Sequence, residues 1–185
     1  MIKSYLITDP NYYGRDLNSF SKKLNEVLSL KKPNMACFRD KEFLNYSNLA
    51  PVFIKLVKDS GAKAILHSDL KLAKELKTDG IHLPFNLIDL LKEAKKSGLF
   101  TIVSTHSKDE ALMAESLGAN AVTFSPIFHS PNKGEPVGLE KLKEITAILS
   151  IDVYALGGII TKKQISLCEE AYAKGFASIR YFLPK

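Results

Sequence analysis

Eight short apolar runs, alternating with segments of helical periodicity, are the feature that most constrains this chain. The runs are SYLITD (4–9), MACFRD (35–40), AKAILH (62–67), GIHL (80–83), FTIVST (100–105), AVTFSP (121–126), VYALGG (153–158) and FASIR (176–180). Helical patterns occupy 17–30, 46–59, 69–77, 87–97, 108–117, 139–149 and 162–174. The runs are continuous rather than alternating, as in strands covered on both faces, and parallel strands need a crossover between them. Gly61, Gly98, Gly118 and Gly175 stand just past helical segments, where a left-handed residue commonly ends a helix.

Eight such units predict an α/β fold, a single closed (β/α)8 TIM barrel that spans residues 1–185 as one domain. A doubly wound open sheet is the rival, but its glycine fingerprint after the first strand is replaced here by TDPNYYG. After the eighth run only YFLPK remains, so the closing helix is expected to be missing or absorbed. The uncovered flank suits a second copy of the chain, which makes a homodimer an expectation.

With 185 residues, 45% of them hydrophobic, the chain can bury one core without help from metals or disulfides. Cys37 and Cys168 are far apart in apolar segments, which fits a reducing compartment. No leader-like apolar segment opens the sequence, and no run approaches the ~20 residues needed to span a bilayer. A cytoplasmic protein with no membrane partner is expected. The net charge of +6 is carried by lysines spread as helical pairs (Lys22/Lys23, Lys95/Lys96, Lys162/Lys163), without interleaved aromatics. That spread speaks against nucleic acid and leaves an excess suited to attracting small anions.

In this fold chemistry gathers at the carboxyl ends of the strands. Those ends bring Asp9, Arg39 to Lys41, His67 to Asp69, Ser104 to His106, Ser125 to Lys133, Gly157 and Gly158, and Arg180 to one mouth. The set is rich in cations, hydroxyls and imidazoles and poor in carboxylates, so a phosphorylated ligand is favoured over a metal-carboxylate cluster. The loop HSPNKG adds Ser130, Asn132 and Lys133, donors of the kind that hold phosphate. His82 in DGIHL reads as a packed or hydrogen-bonded barrel residue, whereas His106 at a strand end suits either a loop anchor or a substrate contact.

Taken in order, YLITD, CFRDK, DGIHL, VSTHSKDEA, GANAVTFSPIFHSPNKG and ALGGI resemble the thiamine-phosphate synthase family and its sister group, the TenI-type thiazole tautomerases. The resemblance covers nearly the whole chain. It implies a TIM barrel of thiamine biosynthesis that handles thiazole phosphate; synthases join it to a pyrimidine pyrophosphate with Mg²⁺. It further implies that Arg39 and Lys41 hold pyrophosphate, that Ser104 is the family serine after strand five, and that Ser130, Asn132 and Lys133 fall on a pyrophosphate-binding T-x-T-K. Gly157 and Gly158 would offer backbone N–H groups to the thiazole phosphate. Arg180 stands where synthases have a serine, and a guanidinium there can clamp a phosphate in bidentate fashion.

Two departures redirect the reading. His67-Ser68 and Leu87 replace the asparagine-aspartate pair and the later aspartate that bind Mg²⁺ in synthases, and Pro126 replaces the tautomerase histidine. A TenI-like proton transfer on thiazole phosphate, with no metal and no other cofactor, is therefore expected, with His129 or His67 as the base. The first alternative is a synthase whose Mg²⁺ is held by Asp69 and the pyrophosphate. The second is a non-catalytic binder that senses a thiamine intermediate.

Overall fold

The structure, a computed structural model, describes residues 2–42, 44–131 and 133–184. Its strands are β1 (Lys3–Ile7), β2 (Met35–Phe38), β3 (Lys63–His67), β4 (Gly80–Leu83), β5 (Phe100–Thr105), β6 (Ala121–Phe124), β7 (Asp152–Leu156) and β8 (Gly175–Ser178). They pair in parallel in chain order, and β8 pairs with β1 to close a barrel. The helices are α1 (Pro10–Tyr13), α2 (Leu17–Lys31), α3 (Tyr46–Asp59), α4 (Leu70–Glu75), α5 (Leu91–Lys96), α6 (Lys108–Ser116), α7 (Gly138–Ile148) and α8 (Lys162–Glu170). A 3-10 segment, Phe85–Leu90, precedes α5.

Side chains alternate across each strand, and this sorts the core into two sets. Tyr5, Ile7, Met35, Cys37, Ile65, Ile102, Ala121, Tyr154 and Ala177 fill the barrel, while the intervening residues, such as Leu6, Ala36, Leu66 and Val103, pack beneath the helices. The expected runs at β2, β6 and β7 overshoot by two residues because Arg39-Asp40, Ser125-Pro126 and Gly157-Gly158 leave the ladder for the loops of the mouth. The one unexpected helix is α1. Asp9 caps it by accepting a hydrogen bond from the Asn11 N–H, with Pro10 at the first helical position, where a missing N–H costs nothing.

Gly61, Gly98 and Gly118 adopt φ of 82°, 74° and 86°, as helix ends require. Gly175 does not belong with them. It opens β8 in ordinary backbone geometry, and a Cβ there would collide with the Tyr154 ring and lie 2.8 Å from the Lys3 carbonyl oxygen. The left-handed residue after α8 is Tyr172, with φ of 63°.

After β8 the chain makes a 3-10 turn, Arg180–Phe182, in place of a full helix. Phe182 is buried and stacks on Phe176, Tyr181 meets Phe176 edge-on, and Lys31 Nζ of α2 lies 5.1 Å from the Tyr181 ring centroid. The outer face of β8 is thus covered by the chain itself, where the missing helix had suggested an open flank. Among the described residues no helix is long and apolar enough to cross a membrane.

Candidate active site

At the carboxyl ends of the strands lies a cavity of about 720 Å³. Arg39, Lys41, His67, Ser104, Ser130, Lys133, Gly157, Gly158 and Arg180 all line it. Asn132 lies outside the described residues. His129 is exposed and is not part of the lining, although its carbonyl oxygen lies 2.5 Å from where a Cβ on Gly158 would stand. The expectation that His129 faces the ligand is therefore corrected: the backbone of residues 128–129 packs against Gly158, and the imidazole projects to solvent.

One side of the mouth is strongly positive. Arg39, then partial burial, then Lys133 hold the Lys41 ammonium below its ordinary pKa, because three cations share one field in which Asp9 is the offsetting carboxylate. Arg39 lies 3.9 Å from Asp9, and its backbone N–H donates to Thr8 Oγ1 at 2.9 Å. Asp40, between the two cations, is turned away into a bidentate pair with Arg15, whose Nε and Nη2 donate to it at 2.8 and 3.2 Å. It also accepts the Glu42 N–H at 2.9 Å, so the turn that carries Arg39 and Lys41 is anchored from behind.

Opposite these cations stand Gly157 and Gly158, with φ of 101° and 69°. Built Cβ atoms would come within 2.7 Å of Pro126 Cα and 2.5 Å of the His129 carbonyl oxygen, so glycine is required by the close approach of the loop after β6 as well as by its torsions. Arg180 is exposed at the rim, where it opens the last 3-10 turn.

The floor carries three imidazoles. His67 Nδ1 is 2.8 Å from Ser68 Oγ, and burial, then Arg39 and Lys41, pull its pKa down to about 3, so it is neutral at any physiological pH. Ser68 itself has φ of 66°, a left-handed conformation that costs a non-glycine residue energy and marks a shaped turn. His82 is fully enclosed, with Nδ1 3.0 Å from Tyr5 Oη and Nε2 2.8 Å from Ser104 Oγ; burial first, then His67, holds it well below its ordinary pKa. His106 borders the cavity and donates from Nδ1 to the Ser125 carbonyl oxygen at 2.9 Å. Ser125 Oγ also lies 3.2 Å from Nδ1, but the nearer carbonyl only accepts and favours a hydrogen on Nδ1, which in the neutral ring leaves the lone pair on Nε2.

Glu110, Asn86, Asn11 and Tyr12 also border the cavity and were not among the expected residues. Glu110 comes from α6, and its carboxylate accepts the His106 N–H at 2.6 Å. The S-x-x-E spacing of Ser107 and Glu110, a capping signature, would have indicated that it folds back to this strand end.

Geometry of this kind invites comparison with known proteins. The profile of the TMP-TENI family, described as thiamine monophosphate synthase, matches residues 4–182. The chain belongs to this family. It is 33% identical over 184 residues to "Putative thiamine-phosphate synthase 2" of Aquifex aeolicus, covering 97% of this chain and 96% of that protein. A thiamine-phosphate synthase of Desulfitobacterium hafniense is 32% identical over 163 residues, 84% of this chain and 77% of the other. In fold, the chain matches the thiamine phosphate pyrophosphorylase from Pyrococcus furiosus with a TM-score of 0.80 at 24% identity, over 96% of this chain and 85% of that one.

The Mg²⁺ of synthases needs hard oxygen ligands, and the donors present do not fit it. Leu87 packs against the core, and Asp69 caps α4, accepting the Leu72 N–H at 2.9 Å, and lines a separate surface groove instead of this cavity. Asp9 caps α1 near Arg39, Glu110 holds the His106 N–H, and among the described residues no three His, Cys, Asp or Glu side chains converge.

Proposed function

We propose that this member of the thiamine-phosphate synthase/TenI family binds thiazole phosphate and moves a proton on its ring without a metal, with His106 as the base. The observation that carries the reading is the His106 Nδ1–H donated to the Ser125 carbonyl, which leaves Nε2 as an acceptor at the cavity edge. His67 serves this role poorly. A pKa of about 3 gives its lone pair little proton affinity, so it acts as a neutral wall beside the ligand. His129 is directed away from the cavity. Gly157, Gly158 and Arg180 supply donors for the phosphate, and Arg39, Lys41 and Lys133 provide a field that favours an anion. Ligand exchange with solvent through the open mouth requires no further group.

The names of the relatives favour a second reading, synthesis of thiamine phosphate, and the Arg39, Lys41 and Lys133 cluster suits a diphosphate. One experiment separates the readings. Tautomerisation of the thiazole phosphate isomer and its coupling to pyrimidine pyrophosphate are each assayed with and without Mg²⁺. The proposal expects a metal-independent tautomerase rate that falls by about 10² to 10⁴ in His106→Gln while thiazole phosphate still binds. Metal-dependent coupling at an efficient rate would replace it with the synthase reading, and binding without turnover in both assays would leave a non-catalytic binder.

A further inference from the structure

The interior of the barrel should be apolar, yet it holds a continuous polar chain from its centre to the cavity. Tyr5 of β1, fully buried, lies near the Cys37 thiol of β2, and its Oη is 3.0 Å from His82 Nδ1 of β4. His82 in turn reaches Ser104 Oγ of β5 at 2.8 Å, and Ser104 lines the cavity. Every member is an inward residue of its strand. A buried network of this kind costs desolvation unless each hydrogen bond is made, and its bonds then polarise one another in sequence.

We propose that this chain runs in one direction, with Tyr5 donating to His82 Nδ1 and His82 Nε2–H to Ser104, so that Ser104 presents its hydroxyl hydrogen to an acceptor atom of the bound ring. Direction follows from competition. A neutral imidazole has one lone pair, and two hydroxyls flank it. A phenol, with an ordinary pKa near 10, is a far stronger donor than an aliphatic hydroxyl, so Tyr5 takes the lone pair at Nδ1 and the ring hydrogen is placed on Nε2. The reverse arrangement would turn the Tyr5 hydroxyl onto a thiol sulfur, a weak acceptor. Burial keeps each member neutral: it raises Tyr5, pushes the Cys37 thiol up to about 12 and lowers His82. Ser104 Oγ, already accepting from His82, is left with its own hydrogen to give.

Tyr5 and His82 are in this account positioning residues, and Ser104 is the group that touches substrate. The inference rests on the proposed proton transfer for its catalytic consequence. As His106 Nε2 removes a ring proton, electron density moves to the atom opposite Ser104, whose hydrogen bond strengthens there without transferring its proton. Ser104 is an inward residue of β5 and His106 follows two positions on, just past the strand, and both line the cavity.

The test uses the whole protein with ¹⁵N-labelled histidine, of which there are four, assigned by single His→Gln variants. His82 is expected to show a protonated Nε2 and a bare Nδ1. A bare Nε2 in the unaltered protein overturns the proposal, whatever Tyr5→Phe does to folding. In the tautomerase assay Tyr5→Phe should lower kcat by roughly 10- to 100-fold, with the dissociation constant of thiazole phosphate within about threefold, and Tyr5→Phe/Ser104→Ala should be no slower than Ser104→Ala alone. Additive losses would reduce Tyr5 to a packing residue. If the unaltered protein has no tautomerase rate, the proposed function fails, and the tautomer of His82 still decides the direction of the chain.

Discussion

Arg39 and Lys41 show how two neighbouring charges can be held in an unfavourable field for use. The Arg39 charge lowers the Lys41 pKa and the Asp9 carboxylate offsets part of that effect, so a bound phosphate relieves the repulsion. Replacing Arg39 by Met should weaken binding of thiazole phosphate by about 1.5–3 kcal/mol, the range for a hydrogen bond to a charged group, as read by calorimetry at fixed salt. The same variant should raise the Lys41 pKa toward its ordinary value, visible in an NMR titration of the lysine side chains; an unmoved Lys41 would mean the two do not share a field. Asp40 behaves oppositely. Its hydrogen bonds to Arg15 lower its pKa in the folded protein, so the stability it contributes is full above the ordinary carboxyl pKa near 3.9 and is lost as pH falls through the lower folded value. Asp40→Asn should therefore be less stable at pH 7 and show a shallower loss of stability between about pH 4 and pH 2 in denaturant titrations.

The elements repeat this logic of fixed positions. The two glycines that looked alike in sequence, Gly61 and Gly175, have different tasks. Nothing lies within 4 Å of a Cβ built on Gly61, so Gly61→Ala meets only the cost of its φ of 82°, about 1 kcal/mol. Gly175→Ala would drive a methyl group into the Tyr154 ring inside the barrel, and should cost about 1–3 kcal/mol or more as the core repacks. Urea unfolding of both variants checks the order; equal losses would show that the barrel centre accommodates the methyl group freely. The end of β5 brings Ser104 and, just past the strand, His106 to the cavity, while Val103 and Thr105 point away. That much was legible in VSTHS. The partners of those side chains were not, since Tyr5 and His82 arrive from two other strands and Ser125 from the loop after β6.

For the molecule as a whole, closure is the decisive event. The chain ends its eighth unit with Tyr181 and Phe182 instead of a helix, and Phe182, 1% exposed, seals the outer face of β8. Phe182→Ala should cost about 3–5 kcal/mol, the usual range for emptying a buried phenylalanine site, measured as a lower denaturation midpoint with an unchanged slope. A smaller loss would mean that Tyr181 and Lys31 close the gap by themselves.

Local order was written in the sequence: eight apolar runs, the helices between them, and the strand ends and loops that carry Arg39, Lys41, Ser104, Lys133, Gly157, Gly158 and Arg180 to one mouth. These follow from periodicity and residue type, which act over a few positions. Which histidine offers a lone pair to the cavity, that His129 turns outward, that Asp69 is committed to a helix cap, and that Tyr5 and His82 stand behind Ser104 were decided only when β1, β4, β5 and β6 came together. Hydrogen-bond partners distant in sequence set tautomers and protonation, and only the closed barrel brings those partners within reach.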